Sequence, residues 1–255
     1  MGPFTKYPIA ILKKWSYIVL LALLACEPEP QVREVIVTAT FREGANPLVY
    51  LYHADDLSAV KDASVRLKTN NQSWSLTWNG MGYEQLNHVF AANDAVDLTC
   101  DLDGYTAFAH TRIPPAIEVT SVSSTEITID PNSTGSPAMV IQWTALPDNQ
   151  YSYLLQLESL EPTPTAIPFI GPGGLFDAQY SGPISQTGTI LFDTDFTNYG
   201  AHRLTIYAIR KEFEQLFFYD KTDLRGLVLH SPDNIENAKG FVAAVSSTSI
   251  DLVAQ

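Results

Sequence analysis

The side chains that do chemistry are thinly spread in this chain of 255 residues. Its five histidines, His53, His88, His110, His202 and His230, are scattered, and no two lie within five residues of each other. No H-E-x-x-H pair, nucleophile elbow or phosphate loop is present. The densest carboxylates outside strand-like segments are Asp55-Asp56 and Asp193-Thr194-Asp195. Loop carboxylates are natural calcium ligands, so Asp193 and Asp195 could contribute to a calcium site. With 28 acidic residues, close pairs also arise as plain solvated loops, and the expectation is no metal and no cofactor. Residues 101–104 (DLDG) read as a strand end and turn, because Tyr105 stands where a calcium loop needs another carboxylate. Trp74 and Trp78 share one face of a strand-like segment with Leu76. They read as core residues, the alternative being an exposed platform for sugar or protein.

The two cysteines stand in different settings. Cys100 alternates with Asp101 and Thr99 on the same face as Val96, Leu98 and Leu102, which predicts a buried thiol. Cys26 follows Lys6, Lys13, Lys14 and the apolar run Trp15–Ala25, too short to span a bilayer but of the length of a secretory signal. Leu23-Leu24-Ala25-Cys26 resembles the bacterial lipobox, in which the cysteine thiol takes the diacylglyceryl group. Residues 1–25 are then a signal peptide, and 26–32 a lipidated tether carrying Glu27 and Glu29 among prolines. Several acyl chains anchor a protein far better than one. Loss of the leader's three lysines leaves 12 basic and 28 acidic residues, a net charge of −16. Such a surface repels nucleic acid and anionic lipid, so attachment rests on the acyl chains.

Beyond the tether the periodicity is two almost everywhere. Candidate strands are 33–41, 47–53, 63–69, 73–78 and 83–90, then a hairpin of 96–102 and 105–109 turning at Asp103-Gly104. Ile113-Pro114-Pro115 reads as a linker. Strands restart at 117–123 and 125–129, and Ile141, Trp143 and Ala145 are placed on one face. A turn at 147–149, a strand at 151–158, a later strand at 202–210 and a closing hairpin of 240–246 and 248–254 follow. The tryptophan strand and the Tyr-x-Leu-x-Leu strand after it resemble the fibronectin type III core. The fold class is therefore all-β: two β-sandwich domains, immunoglobulin-like or fibronectin type III-like, at 33–113 and 117–255. One short helix is expected near 211–220, with Phe213, Leu216 and Phe217 on a stripe. Residues 159–188, rich in proline and glycine, read as a long loop. Its apolar residues Phe169, Ile170, Leu175 and Phe176 are the candidate partner contact.

The order of lipobox, β-domain, Pro-Pro linker and Trp-containing sandwich ends in Asn234-Ile235-Glu236-Asn237-Ala238-Lys239-Gly240-Phe241. That tail resembles the Asn-Ile-x-Asn-Gly-x-Gly-x-Phe signature of a large Bacteroidota lipoprotein family, domain of unknown function 4249, with Ala238 where the family has glycine. The resemblance implies a lipid-anchored outer-membrane protein, on the periplasmic or cell-surface face, that partners a TonB-dependent receptor. It brings no catalytic residues. The expected function is thus a non-enzymatic accessory ligand-binding protein. The alternatives are a glycan-directed envelope hydrolase or a purely structural envelope module. The anchor is directly testable. Cys26→Ala should abolish incorporation of labelled palmitate and release the protein from membranes, and labelling that survives the substitution would refute lipidation at this residue.

Overall fold

Alternation of apolar and polar side chains builds nearly all of this protein. The computed structural model describes residues 34–70, 72–102, 104–130, 132, 135–147, 150–168, 178–217 and 233–255. Residues Glu34–Gln255 form one compact unit. Its strands run in order β1 (Val35–Arg42), β2 (Leu48–His53), β3 (Ser64–Thr69), β4 (Gln72–Trp78), β5 (Tyr83–Glu84), β6 (Ala95–Leu102) and β7 (Tyr105–Arg112). After the linker come β8 (Val119–Val122), β9 (Glu126–Ile127), β10 (Pro137–Trp143), β11 (Tyr151–Ser159), β12 (Thr165–Ala166), β13 (Ala178–Ile184) and β14 (Gly188–Phe192). The last are β15 (Asn198–Arg210), β16 (Ile235–Glu236) and β17 (Lys239–Ala254). The fold is all-β.

The first core is wrapped by one curled sheet of order β17-β1-β2-β5-β4-β3-β6-β7-β16. Val37, Ala39 and Phe41 from β1 meet Val96, Leu98 and Cys100 from β6 in its interior. Each valine, leucine or phenylalanine side chain so buried contributes roughly 1.5–3 kcal/mol. The second core lies between two sheets, β8-β10-β14 on one side and β13-β11-β15-β17 on the other. Met139, Ile141 and Trp143 of the first face Leu155, Leu157, Leu204 and Ile206 of the second. Trp143 is buried and meets Tyr153 edge-on, ring centroids 5.3 Å apart. The two cores separate at Pro114–Ala116, but Ile235, Val242 and Ala244 return to the first.

One strand serves both cores. β17 is 16 residues long. Its first half lies parallel to β1, from Ile36↔Lys239 to Arg42↔Val245, and its second half pairs antiparallel with β15. A hairpin at 240–254 was expected; the segment stays extended because Ser246-Ser247-Thr248 holds none of the glycine, asparagine or proline that a tight turn needs. Even-numbered side chains enter the cores: Val242 and Ala244 the first, Leu252 and Ala254 the second. Between them the buried Ser246 hydroxyl donates to the Pro115 carbonyl, 2.8 Å away, fixing the linker to the strand.

The tail signature closes the curled sheet. β16 pairs with β7 and the chain turns directly into β17 beside β1. Asn237 makes that turn at φ 64°, and its amide donates to the Thr106 carbonyl at 3.0 Å. The Asn234 side chain acts as one more strand residue: its Oδ1 accepts from the Val242 N–H at 2.8 Å and its Nδ2 donates to the Val242 carbonyl at 2.9 Å. Gly240, at φ 118°, lies against β1 so closely that a Cβ would stand 1.9 Å from the Val37 carbonyl oxygen.

Other sequence expectations are adjusted locally. Of 83–90 only Tyr83–Glu84 pairs as strand, since Asn87 adopts φ 65° and bends the chain away. β10 ends at Trp143, which leaves Ala145 exposed rather than on the core face. The helix expected at 211–220 is a 3₁₀ helix, Lys211–Phe217. Phe213 and Leu216, three apart, eclipse on its inner side, a spacing that suits three residues per turn; residues 218–220 lie outside the described residues. Part of 159–188 is strand, because β12 and β13 fall within it. Phe169, Ile170, Leu175 and Phe176 lie outside the described residues.

Sheet closure gives a direct test. Gly240→Ala should destabilise the protein by at least about 3 kcal/mol, because backbone strain and a clash with β1 add together. Asn234→Ala should cost on the order of 2–4 kcal/mol by leaving a buried N–H and C=O unpaired. Urea unfolding of both variants measures this, and a loss below about 0.5 kcal/mol for either would contradict the closure.

Candidate functional site

The sheet β11-β15-β17 has two sides. Its inner side carries Leu155, Leu157, Leu204, Ile206 and Leu252 into the second core. Its outer side is divided lengthwise. Near the linker Leu154, Ile209, Phe241, Ala243 and Val245 form a third apolar cluster, covered by Phe213 and Leu216 of the 3₁₀ helix. Glu214 of that helix accepts a hydrogen bond from the buried Ser152 hydroxyl of β11. Beyond the helix the same side turns polar and opens into a shallow recess of about 510 Å³.

Registry places the recess side chains in rows. Gln156, Thr205 and Ser249 stand side by side, and so do Glu158, Arg203 and Asp251. Thr205 and Ser249 share a hydrogen bond between hydroxyls at 3.0 Å. The Tyr207 hydroxyl donates to Gln156 Oε1 at 2.7 Å. Arg203 grips Asp251 with Nε at 2.9 Å and Nη2 at 3.3 Å. At the end nearest the linker, Arg42 of β1 lies over the Tyr207 ring, its Cζ 5.6 Å from the centroid.

Glu158 and Asp251 flank Arg203 on adjacent strands, a separation on the order of two strand spacings. A glycosidase acid needs a raised pKa. Asp251 is instead held below the usual carboxylate range, chiefly by its hydrogen bond from Arg203.

The residues singled out from the sequence fall elsewhere. Asp193 is buried and its Oδ1 accepts the Ser136 N–H at 2.9 Å; Asp195 Oδ2 accepts the Phe192 N–H at 2.8 Å. The pair thus ties the end of β14 to the start of β10. Asp55 and Asp56 organise a turn, with Asp56 Oδ1 accepting the Ser58 N–H at 2.8 Å. No group of three or more metal-ligating side chains stands together among the described residues. Cys100 is buried, and burial pushes its thiol up to about 12. Trp74 and Trp78 are half-buried against the first core, and the Trp74 ring lies 3.7 Å from that of His88. Cys26 lies outside the described residues. None of the shelf residues stood out in the sequence. The available signal was weak: polar residues at every second position of 156–158, 203–207 and 247–251, where a buried sheet would carry apolar ones.

On the other sandwich sheet Val140 faces Ile190 across the strands; they are 42% and 45% exposed, and Phe192 beside them is 38% exposed. No helix among the described residues is long and apolar enough to cross a membrane.

No family model and no curated protein matches this chain. Among solved structures, a protein from Corynebacterium diphtheriae described as a "Putative membrane anchored protein" is similar over 69% of this chain, at 12% identity and a TM-score of 0.23. The chain spans about half (54%) of that protein's length.

Two histidines give this fold an acid-side limit. His202 is buried against the Phe196 ring, with Nδ1 2.9 Å from the Gly200 carbonyl oxygen. Burial lowers its pKa from 6.5, and does the same for His88. A depressed folded pKa leaves stability complete above the unfolded value of 6.5 and removes it as the pH falls below that value, where the unfolded chain takes up protons first. The melting temperature should therefore be flat from about pH 7 to 8 and drop toward about pH 5, with a smaller drop in His202→Gln. Equal slopes for wild type and variant, by calorimetry, would contradict this.

Proposed function

We propose that this chain is a non-enzymatic, lipid-anchored protein of the outer membrane that holds a ligand for a TonB-dependent receptor. The observation that carries this reading is the polar shelf itself, a recess whose hydroxyls, amide and ions stand in rows across three strands. β17 starts beside β1 and runs on for 16 residues, reaching Ser249 and Asp251 roughly 35 Å beyond its start. The shelf thus lies on the half of β17 beyond its pairing with β1, open to solvent where a ligand or a receptor can reach it.

The lipobox and the tail signature support the envelope address and the receptor partner. The concave recess favours binding over a purely structural role, and the ionised, arginine-locked Asp251 favours binding over glycan hydrolysis.

The test is isolation of the tagged full-length protein from detergent-solubilised outer membranes. A TonB-dependent receptor should co-purify in near-stoichiometric amount, and Cys26→Ala should lose it. Recovery of the wild-type protein without a receptor, or from inner membranes, would overturn the reading.

A further inference from the structure

We propose that the shelf binds an acidic oligosaccharide, a uronate-bearing glycan whose carboxylate is held by Arg42; this names the ligand class of the site above and rests on its reading as a binding site. Arg42 is exposed and has no carboxylate partner among the described residues, in a chain of net charge −13. Arg203, Arg66 and Arg210 are each committed to an acid, Asp251, Asp101 and Glu212. Arg42 is positioned instead by an aromatic face, Tyr207. The cation lies within cation–π range of that ring, and no carboxylate among the described residues takes its N–H groups. That fork matches a carboxylate bidentately.

The rest of the shelf is graded from donor to acceptor. Next to Arg42 the Gln156 amide has its oxygen occupied by the Tyr207 hydroxyl, so its NH₂ is left to donate outward. One row further, Thr205 and Ser249 offer hydroxyls that both donate and accept. At the far end Glu158 and Asp251 accept, and Arg203 between them is already bonded to Asp251. A ligand with one negative charge at one end and hydroxyls along its length meets every group with its complement. A polyanion does not, because its later charges would meet Glu158 and Asp251. An apolar occupant does not either, since the centre of a protein interface is depleted in charged residues and this recess is lined with them.

The experiment is titration calorimetry on the full chain in detergent. The probes are a trisaccharide of two neutral xylose units carrying a single glucuronic acid, and the same trisaccharide with that carboxylate methyl-esterified, alike in shape and hydroxyls. The acid should bind, the ester at least about tenfold more weakly, and added salt should narrow the gap. Arg42→Gln should bring the acid down to the level of the ester and leave the ester unchanged; Arg42→Lys should recover part of the loss. Arg42 is exposed, so an unchanged melting temperature is expected and certifies each variant. Equal binding of acid and ester, an Arg42→Gln protein that still prefers the acid, or binding of neither probe would overturn the proposal. A receptor that still co-purifies in any of those cases would confine the failure to the ligand class.

Discussion

The parallel pairing of β17 with β1 is the constraint on which the other parts of this protein depend. It brings the last strand of the chain to the first described one, so neither core is complete until the C-terminus is in place. A strand shared by two cores must keep one alternation through both, because a slip of one residue would turn every apolar side chain outward. β17 keeps it from Val242 to Ala254, and the change of core falls at Ser246, whose hydroxyl satisfies a linker carbonyl. Pairing across such sequence separation is slow to form, since loop closure must be achieved before the contacts reward it. The two halves of the described chain are therefore expected to fold and unfold together.

The tail signature takes its meaning from the same pairing. Asn234, Asn237 and Gly240 form a device that turns β16 into β17 and seals the curled sheet between β7 and β1. Each residue type has a physical reason: a side-chain amide that substitutes for a backbone pair, a residue tolerant of positive φ, and a position with no room for a Cβ. A motif that invites a functional reading is here a closure. Ala238 is accommodated because the positive φ falls on Asn237 and Gly240, so its own position needs no glycine.

Strand content was legible because alternation reports directly on a half-buried sheet. The inward set Leu204, Ile206 and Ala208, the buried Cys100 and the buried Trp143 all follow from period two. What the pattern could not report was where strands stop and whom they join. Tyr83–Glu84 is cut short by a backbone angle at Asn87, and β17 is continuous because a turn is missing; neither fact changes the hydrophobic count. The shelf was illegible for a related reason. Its members come from residues 42, 156–158, 203–207 and 249–251, and only registry places them in rows. Acidic pairs adjacent in sequence drew attention instead, and Asp193 and Asp195 turned out to hold backbone N–H groups.

The division of the outer sheet face argues that the shelf is more than an ordinary solvated surface. On β17 the odd-numbered residues read Phe241, Ala243, Val245, then Ser247, Ser249, Asp251, and the change occurs where the 3₁₀ helix ends its cover. Any uncovered sheet face turns polar at such a border, so polarity alone assigns nothing. An ordinary face would carry long, mobile side chains that hydrate independently. This one has its hydroxyls, amide and ions bonded to one another across three strands, with Thr205 only 5% exposed. Fixing side chains before a ligand arrives lowers the entropy lost when it docks. Cross-strand pairs of this kind stabilise the sheet by roughly 0.2–1 kcal/mol each, and the order they impose is also what a binding surface requires.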